Sequence, residues 1–210
     1  MADAAQGLSA ALDVQYYFYT WRDQRIWRRI NLALVRRARQ AVGRNAIPSA
    51  GVIDSQSVKT TESGGPHGFD PAKRVKGRKR HMVTDTQGFP LALLVHEANI
   101  QDNHGAVPLL RLLRQIFPKL RHIFADRVYR GAKLRDAIAE FGKWTIEIVT
   151  RSERVGTFKP EPKRWVIERT FTWLGRNRRL AKDFETTIES AEAWCLIASV
   201  QLLSRRLART

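Results

Sequence analysis

Three acidic residues stand out for the chemistry their surroundings permit: Asp54, Asp126 and Glu168. Asp54 closes the short β-branched run Gly51-Val52-Ile53-Asp54, and Asp126 closes His122-Ile123-Phe124-Ala125-Asp126. Both read as buried strands that end in a carboxylate, the place where α/β domains tend to put their sites. Taken alone, a strand-end aspartate is ordinarily a solvated cap or a salt-bridge partner. Two of them together with a mid-helix glutamate favour a site. Carboxylate oxygens are hard donors suited to Mg2+ or Mn2+. Three crowded carboxylates repel one another, and two divalent ions would remove that penalty. The same ions would act as a Lewis-acid clamp on the attacking and leaving oxygens of a phosphodiester.

The rest of the chain suits a polyanionic substrate. Its 210 residues carry 37 Lys and Arg against 20 Asp and Glu, a net charge of +17, and a protein this cationic ordinarily partners nucleic acid. A hydrophobic fraction of 43% and six tryptophans indicate a folded protein and not a basic disordered tail. No apolar run approaches the ~20 residues that span a bilayer. Met1 to Leu12 lack the basic n-region of a signal peptide. The single cysteine, Cys195, excludes an internal disulfide and a Cys-based zinc site, and reads as a small buried hydrophobe.

Three elements must hold the acids in place. The helix from Arg164 aligns Trp165, Glu168 and Thr172 on one line and Ile167, Phe171 and Leu174 on another. Arg164 lies one turn before Glu168, and Arg169, Arg176, Arg178 and Arg179 follow it. Some of these form a solvated basic face, and phosphate contact is the sharper expectation. The run Lys73-Arg74-Val75-Lys76-Gly77-Arg78-Lys79-Arg80 has six cations in eight residues. It matches a localisation signal with low specificity, and standing directly before a strand it reads at least as well as a DNA-backbone contact at the rim of the site. His81–Asp85, a turn at Thr86-Gln87-Gly88, and Pro90–Val95 predict a β-hairpin.

Around these, residues 1–13 read as a flexible leader and Val14–Ala41 as one helical stretch. Residues 14–45 form an N-terminal helical segment, and 46–210 form the main domain. Tyr16, Tyr17, Phe18 and Trp21 favour a helix-packing surface over a base-stacking platform. Thr60–Pro71 and Arg151–Lys163 read as loops. Helices are expected over Asn103–Ile116, Lys133–Phe141 and Ser190–Leu207, and a strand over Trp144–Thr150. The order implies a mixed α/β domain with a central sheet. The five histidines (His67, His81, His96, His104 and His122) show no metal-ligand spacing and read as structural or surface residues.

Residues 50–185 resemble the catalytic part of bacterial insertion-sequence transposases of the IS5/IS4 group, which are DDE enzymes. The words that carry the resemblance are Ile53-Asp54-Ser55-Gln56-Ser57-Val58-Lys59, Val75-Lys76-Gly77-Arg78-Lys79-Arg80-His81, Phe124-Ala125-Asp126, Tyr129-Arg130-Gly131 and Trp165-Val166-Ile167-Glu168-Arg169-Thr170-Phe171, followed by Trp173-Leu174 and Arg178-Arg179-Leu180. The resemblance implies an RNase H-like fold of mixed sheet flanked by helices, with Asp54, Asp126 and Glu168 as a triad for two Mg2+ or Mn2+ ions. It also implies cleavage at terminal inverted repeats, attack of a 3′-hydroxyl on target DNA, a homodimer that synapses two double-stranded ends, and a place on the bacterial nucleoid in the cytoplasm. The chain departs from the pattern in three places. Arg127-Val128 stands where the family usually has a small residue. Glu161 and Gly175 occupy the places of a tyrosine and a lysine. Only the last part of the family's N-terminal end-binding region, about Tyr16–Ala41, is expected here. A catalytically inactive DNA-binding remnant, or a nuclease that cuts without joining, are the alternatives.

Overall fold

The computed structural model describes residues 2–149 and 164–209. The backbone alternation of the three longest strands explains the layering. β1 (Ala50–Lys59) pairs antiparallel with β3 (Val75–Thr84) from Val52↔Thr84 to Lys59↔Gly77. The other edge of β3 is shared by β4 (Pro90–Glu97) and the three-residue β2 (Gly68–Asp70), which takes Val75–Gly77. On its far side β1 pairs in parallel with β5 (His122–Ala125), and β5 with β6 (Thr145–Ile148). The β1–β5 ladder stops at Val52↔Phe124, whereas the β1–β3 ladder continues to Lys59.

Successive side chains point to opposite faces. Ile53 and Val83 join the core under α3 (Asp102–Ile116) and α4 (Ala132–Ala139), with Leu109, Leu110, Leu113 and Ile138. Val52, Met82, Leu93 and Phe124 face the opposite side. There they meet Ile167, Phe171 and Leu174 of α5 (Arg164–Gly175) and Cys195 and Ala198 of α6 (Ile188–Leu207). Burial pushes the Cys195 thiol up to about 11, in keeping with an inert core residue. The hairpin between β3 and β4 forms as its turn chemistry predicts. Asp85 accepts from the backbone N–H of Gln87 and Phe89 at 2.9 and 2.8 Å, and Gly88 takes φ 88°, a conformation open to glycine.

Three expectations are corrected. A helix, α1 (Ala2–Asp23), occupies the stretch expected to be a leader over residues 1–13. The single helix expected from Val14 to Ala41 is broken at Arg25, which adopts φ 56°, so that α2 (Ile26–Ala41) starts afresh. Phe18 stacks on Trp194 and Trp21 meets Trp27, so part of the aromatic cluster is a packing surface, while Tyr16 and Tyr17 stay exposed. Finally, β1 does not end at Asp54 but runs five residues further to Lys59. The loop expected over Arg151–Lys163, Glu161 within it, and the Arg164 side chain lie outside the described residues.

Candidate active site

Asp54 lies two residues beyond the last β1–β5 pair, and Asp126 lies two residues beyond the same pair on β5. Extending that parallel register sets the two carboxylates side by side. By the alternation of β1, Asp54 shares the face of Val52, the one covered by α5. Both are half-buried. Asp126 caps the 3-10 turn Arg127–Tyr129, its Oδ1 accepting from Val128 N at 2.9 Å, and Asp54 Oδ1 accepts from Ser55 N at 2.7 Å. Arg127 points to solvent from that turn.

Glu168 stands exposed on α5, beside the stripe of Ile167, Phe171 and Leu174 that packs on this sheet face. All three acids therefore lie on one side of the sheet. Among the described residues, no three carboxylate, histidine or cysteine side chains converge closely enough to enclose a metal ion. The donor set still fits a hard divalent cation, because the adjacent groups at the mouth are carboxylates.

Beneath the aspartates runs a buried polar chain that sequence reasoning missed. His96 Nδ1 lies 3.0 Å from the Glu97 carbonyl, which only accepts, so His96 donates there and offers a bare Nε2. His81 Nδ1, 3.3 Å from that Nε2, must then donate, and its own Nε2 accepts from the Tyr129 hydroxyl at 2.9 Å. Donation thus runs one way, from Tyr129 through His81 and His96 to a backbone carbonyl. Tyr129 closes the turn that begins with Asp126, so this chain anchors the turn. Gly105 of α3 permits the arrangement, since a Cβ there would stand 2.5 Å from His96 Nε2. Burial raises the Tyr129 phenol, and the charges of Asp54, Asp102 and Asp126 raise it further. Beside the chain, Ser55 Oγ donates to Asp102 at 2.8 Å and Lys79 Nζ contacts Asp102 at 2.9 Å. Burial raises the Asp102 carboxyl, but the bonds from Lys79 and Ser55 outweigh it and the group lies below its usual range.

Burial, aided by the nearby His96, pushes His81 down to about 3, so it is neutral at pH 7. Its folded value lies below the unfolded ~6.5, so between these the unfolded chain holds one more proton and stability falls as pH falls. Denaturation of the wild type from pH 6 to pH 4 should show a slope steeper by about 1.4 kcal/mol per pH unit than that of His81→Asn. Equal slopes would mean that the ring is hydrated and titrates normally.

The cationic residues divide sharply. Lys73, Arg74 and Lys76 are exposed, and Lys73 Nζ donates to the Ser55 carbonyl at 2.8 Å, next to Asp54. Arg78, Lys79 and Arg80 are buried, which corrects the expectation that they touch DNA. They lie on β3, a strand paired along both edges and covered on both faces. Arg78 donates to the Pro66, Glu185 and Thr186 carbonyls at 2.7, 2.9 and 3.0 Å and pairs with Asp183 at 3.1 Å. Arg80 donates to the Leu180 carbonyl at 2.8 Å, and Lys79 pairs with Asp70 and Asp102. Arg169 is committed as well: it bonds the Gln87 carbonyl at 3.2 Å and lies between the rings of Trp165 and Trp173. Arg179 pairs with Glu185 at 2.6 Å. Arg176 and Arg178 remain exposed. The length of β4 was the available signal. Eight residues after a tight turn need a partner that reaches back to Arg78, so the basic run had to enter the sheet.

The strand order β4-β3-β1-β5-β6, antiparallel on one side of β1 and parallel on the other, with helices on both faces, is an RNase H-like fold. Residues 45–203 match the transposase DDE domain, and the chain belongs to that family. It is 33% identical over 144 residues to a protein of Burkholderia cepacia described as a transposase for insertion sequence element IS402, which covers 64% of each chain. The chain therefore spans a little under two thirds of that relative's length. Solved structures with weaker likeness include the catalytic domain of the Mos1 mariner transposase (12% identity, 88% of this chain and 91% of that one, TM-score 0.41). Another is a chain of the simian T-cell lymphotropic virus intasome in complex with the PP2A regulatory subunit B56 gamma (14% identity, 70% and 48%, TM-score 0.42). Among the described residues, no helix is long and apolar enough to cross a membrane.

Proposed function

We propose that this chain is the catalytic part of an IS5/IS4-group insertion-sequence transposase that cuts phosphodiesters at terminal inverted repeats and joins the freed 3′-hydroxyl to target DNA. The observation that carries this reading is the parallel register that sets Asp54 beside Asp126, with Glu168 on the same side of the sheet. Asp54, Asp126 and Glu168 would hold Mg2+ or Mn2+, which when bound supplies Lewis-acid stabilisation of the developing charge on the phosphodiester. The chain's own contribution is positional. The Asx turn at Asp126 and the Tyr129–His81–His96 chain fix one carboxylate, and β3 fixes the other. Lys73, Arg74 and Lys76, at the exposed rim, bind the duplex backbone. In this reading residues 46–210 are the catalytic domain, and 14–45 belong to an end-binding region of a homodimer acting at the nucleoid.

A second reading, an inactive DNA-binding remnant, draws on the absence of a three-ligand cluster among the described residues. Incubating the protein with a supercoiled plasmid that carries the element's ends separates the two. Nicking or excision at those ends in Mg2+ or Mn2+, abolished by chelator, is expected. Binding without any cleavage in either metal would overturn the transposase reading in favour of the remnant.

A further inference from the structure

We propose that the recess between the end of α5 and the last turns of α6 is a second binding site for the duplex-DNA phosphate backbone, outside the carboxylate site. The inference rests on the reading of the chain as a DNA-binding transposase. The recess is a cavity of about 670 Å³. Arg176 and Arg178 enter it from one wall and Arg205, Arg206 and Arg209 from the other, with Trp173 between them and, among the described residues, no carboxylate in the lining.

Several arginines elsewhere in the protein have a carboxylate partner. Arg28 pairs with Glu192, Arg39 with Asp85, Arg78 with Asp183 and Arg179 with Glu185. Among the described residues no carboxylate pairs with any of the five arginines of the recess. Arginines in the last turn of α6 complement the helix dipole, which accounts for Arg205 and Arg206. It does not account for Arg176 and Arg178, which arrive from a different element. Five like charges around one cavity repel one another, and a bound polyanion is what would reverse the sign of that interaction.

The site is also built on a rigid support. The Arg206 guanidinium lies 5.0 Å from the Phe89 ring centre and 4.8 Å from that of Trp173, and Arg169 lies 4.6 Å from Trp173 on its way to Trp165. This row of stacked rings and guanidinium groups holds the floor of the recess and continues up α5 toward Glu168. At ~1.5 Å per helical residue, Arg176 stands about 12 Å along α5 from Glu168. A duplex lying along α5 covers that distance in about three to four base pairs, at ~3.4 Å each. The recess is thus placed to grip the backbone a few base pairs from the phosphodiester held at the acids. Guanidinium groups aimed at phosphates carry no base code, so the grip should be indifferent to sequence.

Binding of a 30-base-pair duplex, followed by fluorescence anisotropy across a KCl series, tests this in an Asp126→Asn background that cannot cut. Arg205→Glu/Arg209→Glu should lower affinity at least tenfold and reduce the slope of log K against log salt by about 2, close to 0.9 for each phosphate that the variant no longer neutralises. Arg111→Glu, a charge reversal on α3, should change the slope by less than half as much. An effect of Arg111→Glu that reaches half that of the double variant or more would show a general charge effect and overturn the site, as would an unchanged slope in the double variant. In the wild type, bound duplex should shield Arg205 and Arg209 from phenylglyoxal, and unshielded arginines on a bound complex would also overturn it. If the parent protein bound no duplex at all, the DNA reading itself would fall, a result distinct from failure of the recess alone.

Discussion

Replacing Asp126 with Asn should leave a folded, DNA-binding protein whose metal-dependent cleavage is at least about 10³-fold slower. Asn keeps the Oδ1 acceptor that Val128 N requires, so the turn that begins at residue 126 survives. What disappears is one negative charge beside Asp54, and with it the hard oxygen donor that the proposed metal site would use. Metal-assisted stabilisation is worth several kcal/mol, and about 4 kcal/mol corresponds to that factor of 10³. Asp54→Asn should behave alike, because its Oδ1 has a similar backbone donor in Ser55 N. Duplex affinity should hold or rise slightly, since a repulsive charge has gone from the mouth of the site. Cleavage at the wild-type rate by either variant, measured on the plasmid that carries the element's ends, would remove these carboxylates from the reaction.

The largest stability effect is expected at Arg78, a residue whose sequence context suggests DNA contact. Arg78→Met should destabilise the fold by about 3–5 kcal/mol, the cost of breaking a buried ion pair from one side. The guanidinium satisfies carbonyls at Pro66, Glu185 and Thr186 as well as Asp183, so its removal strands several buried acceptors at once. Against a typical total of ~5–15 kcal/mol, that loss removes a large share of the stability. Arg78→Met combined with Asp183→Asn should recover part of the stability, because the second change neutralises the orphaned carboxylate. Urea midpoints decide the matter: a change under about 0.5 kcal/mol would mean that Arg78 is solvated after all.

That contrast shows where sequence reasoning succeeds and where it stops. The hairpin around Gly88, the strand before Asp126 and the helix carrying Glu168 were legible, because each depends on local turn chemistry or on a periodicity of few residues. The run from Lys73 to Arg80 was not, since charge predicts exposure only where no other strand competes for the backbone. Here β1 and β4 claim both edges of β3, and Asp70, Asp102 and Asp183 arrive from distant parts of the chain to neutralise its cations. Local pattern could not assemble those partners. The same limit hid the role of His81, which lies outside any ligand spacing and acquires its proton direction from the Glu97 carbonyl. Residues 14–41 misled for a different reason. The apolar stripe begins only at Trp27, so nothing in the local pattern marked the left-handed backbone at Arg25 that divides the stretch.

The unequal ladders of β1 give the site a mechanical character. Asp54 is mounted on long antiparallel strands with neighbours to Lys59, whereas Asp126 follows a four-residue strand whose outer neighbour, β6, is equally short. Short parallel edges are the weaker part of a sheet. The two carboxylates therefore sit on opposite banks of a seam, one on a long strand and the other on a short one that the Tyr129–His81 bond ties back to β3. A cation shared between them would act as a stitch across that seam, so holding the substrate's reacting group and holding the sheet edge together would be one and the same act.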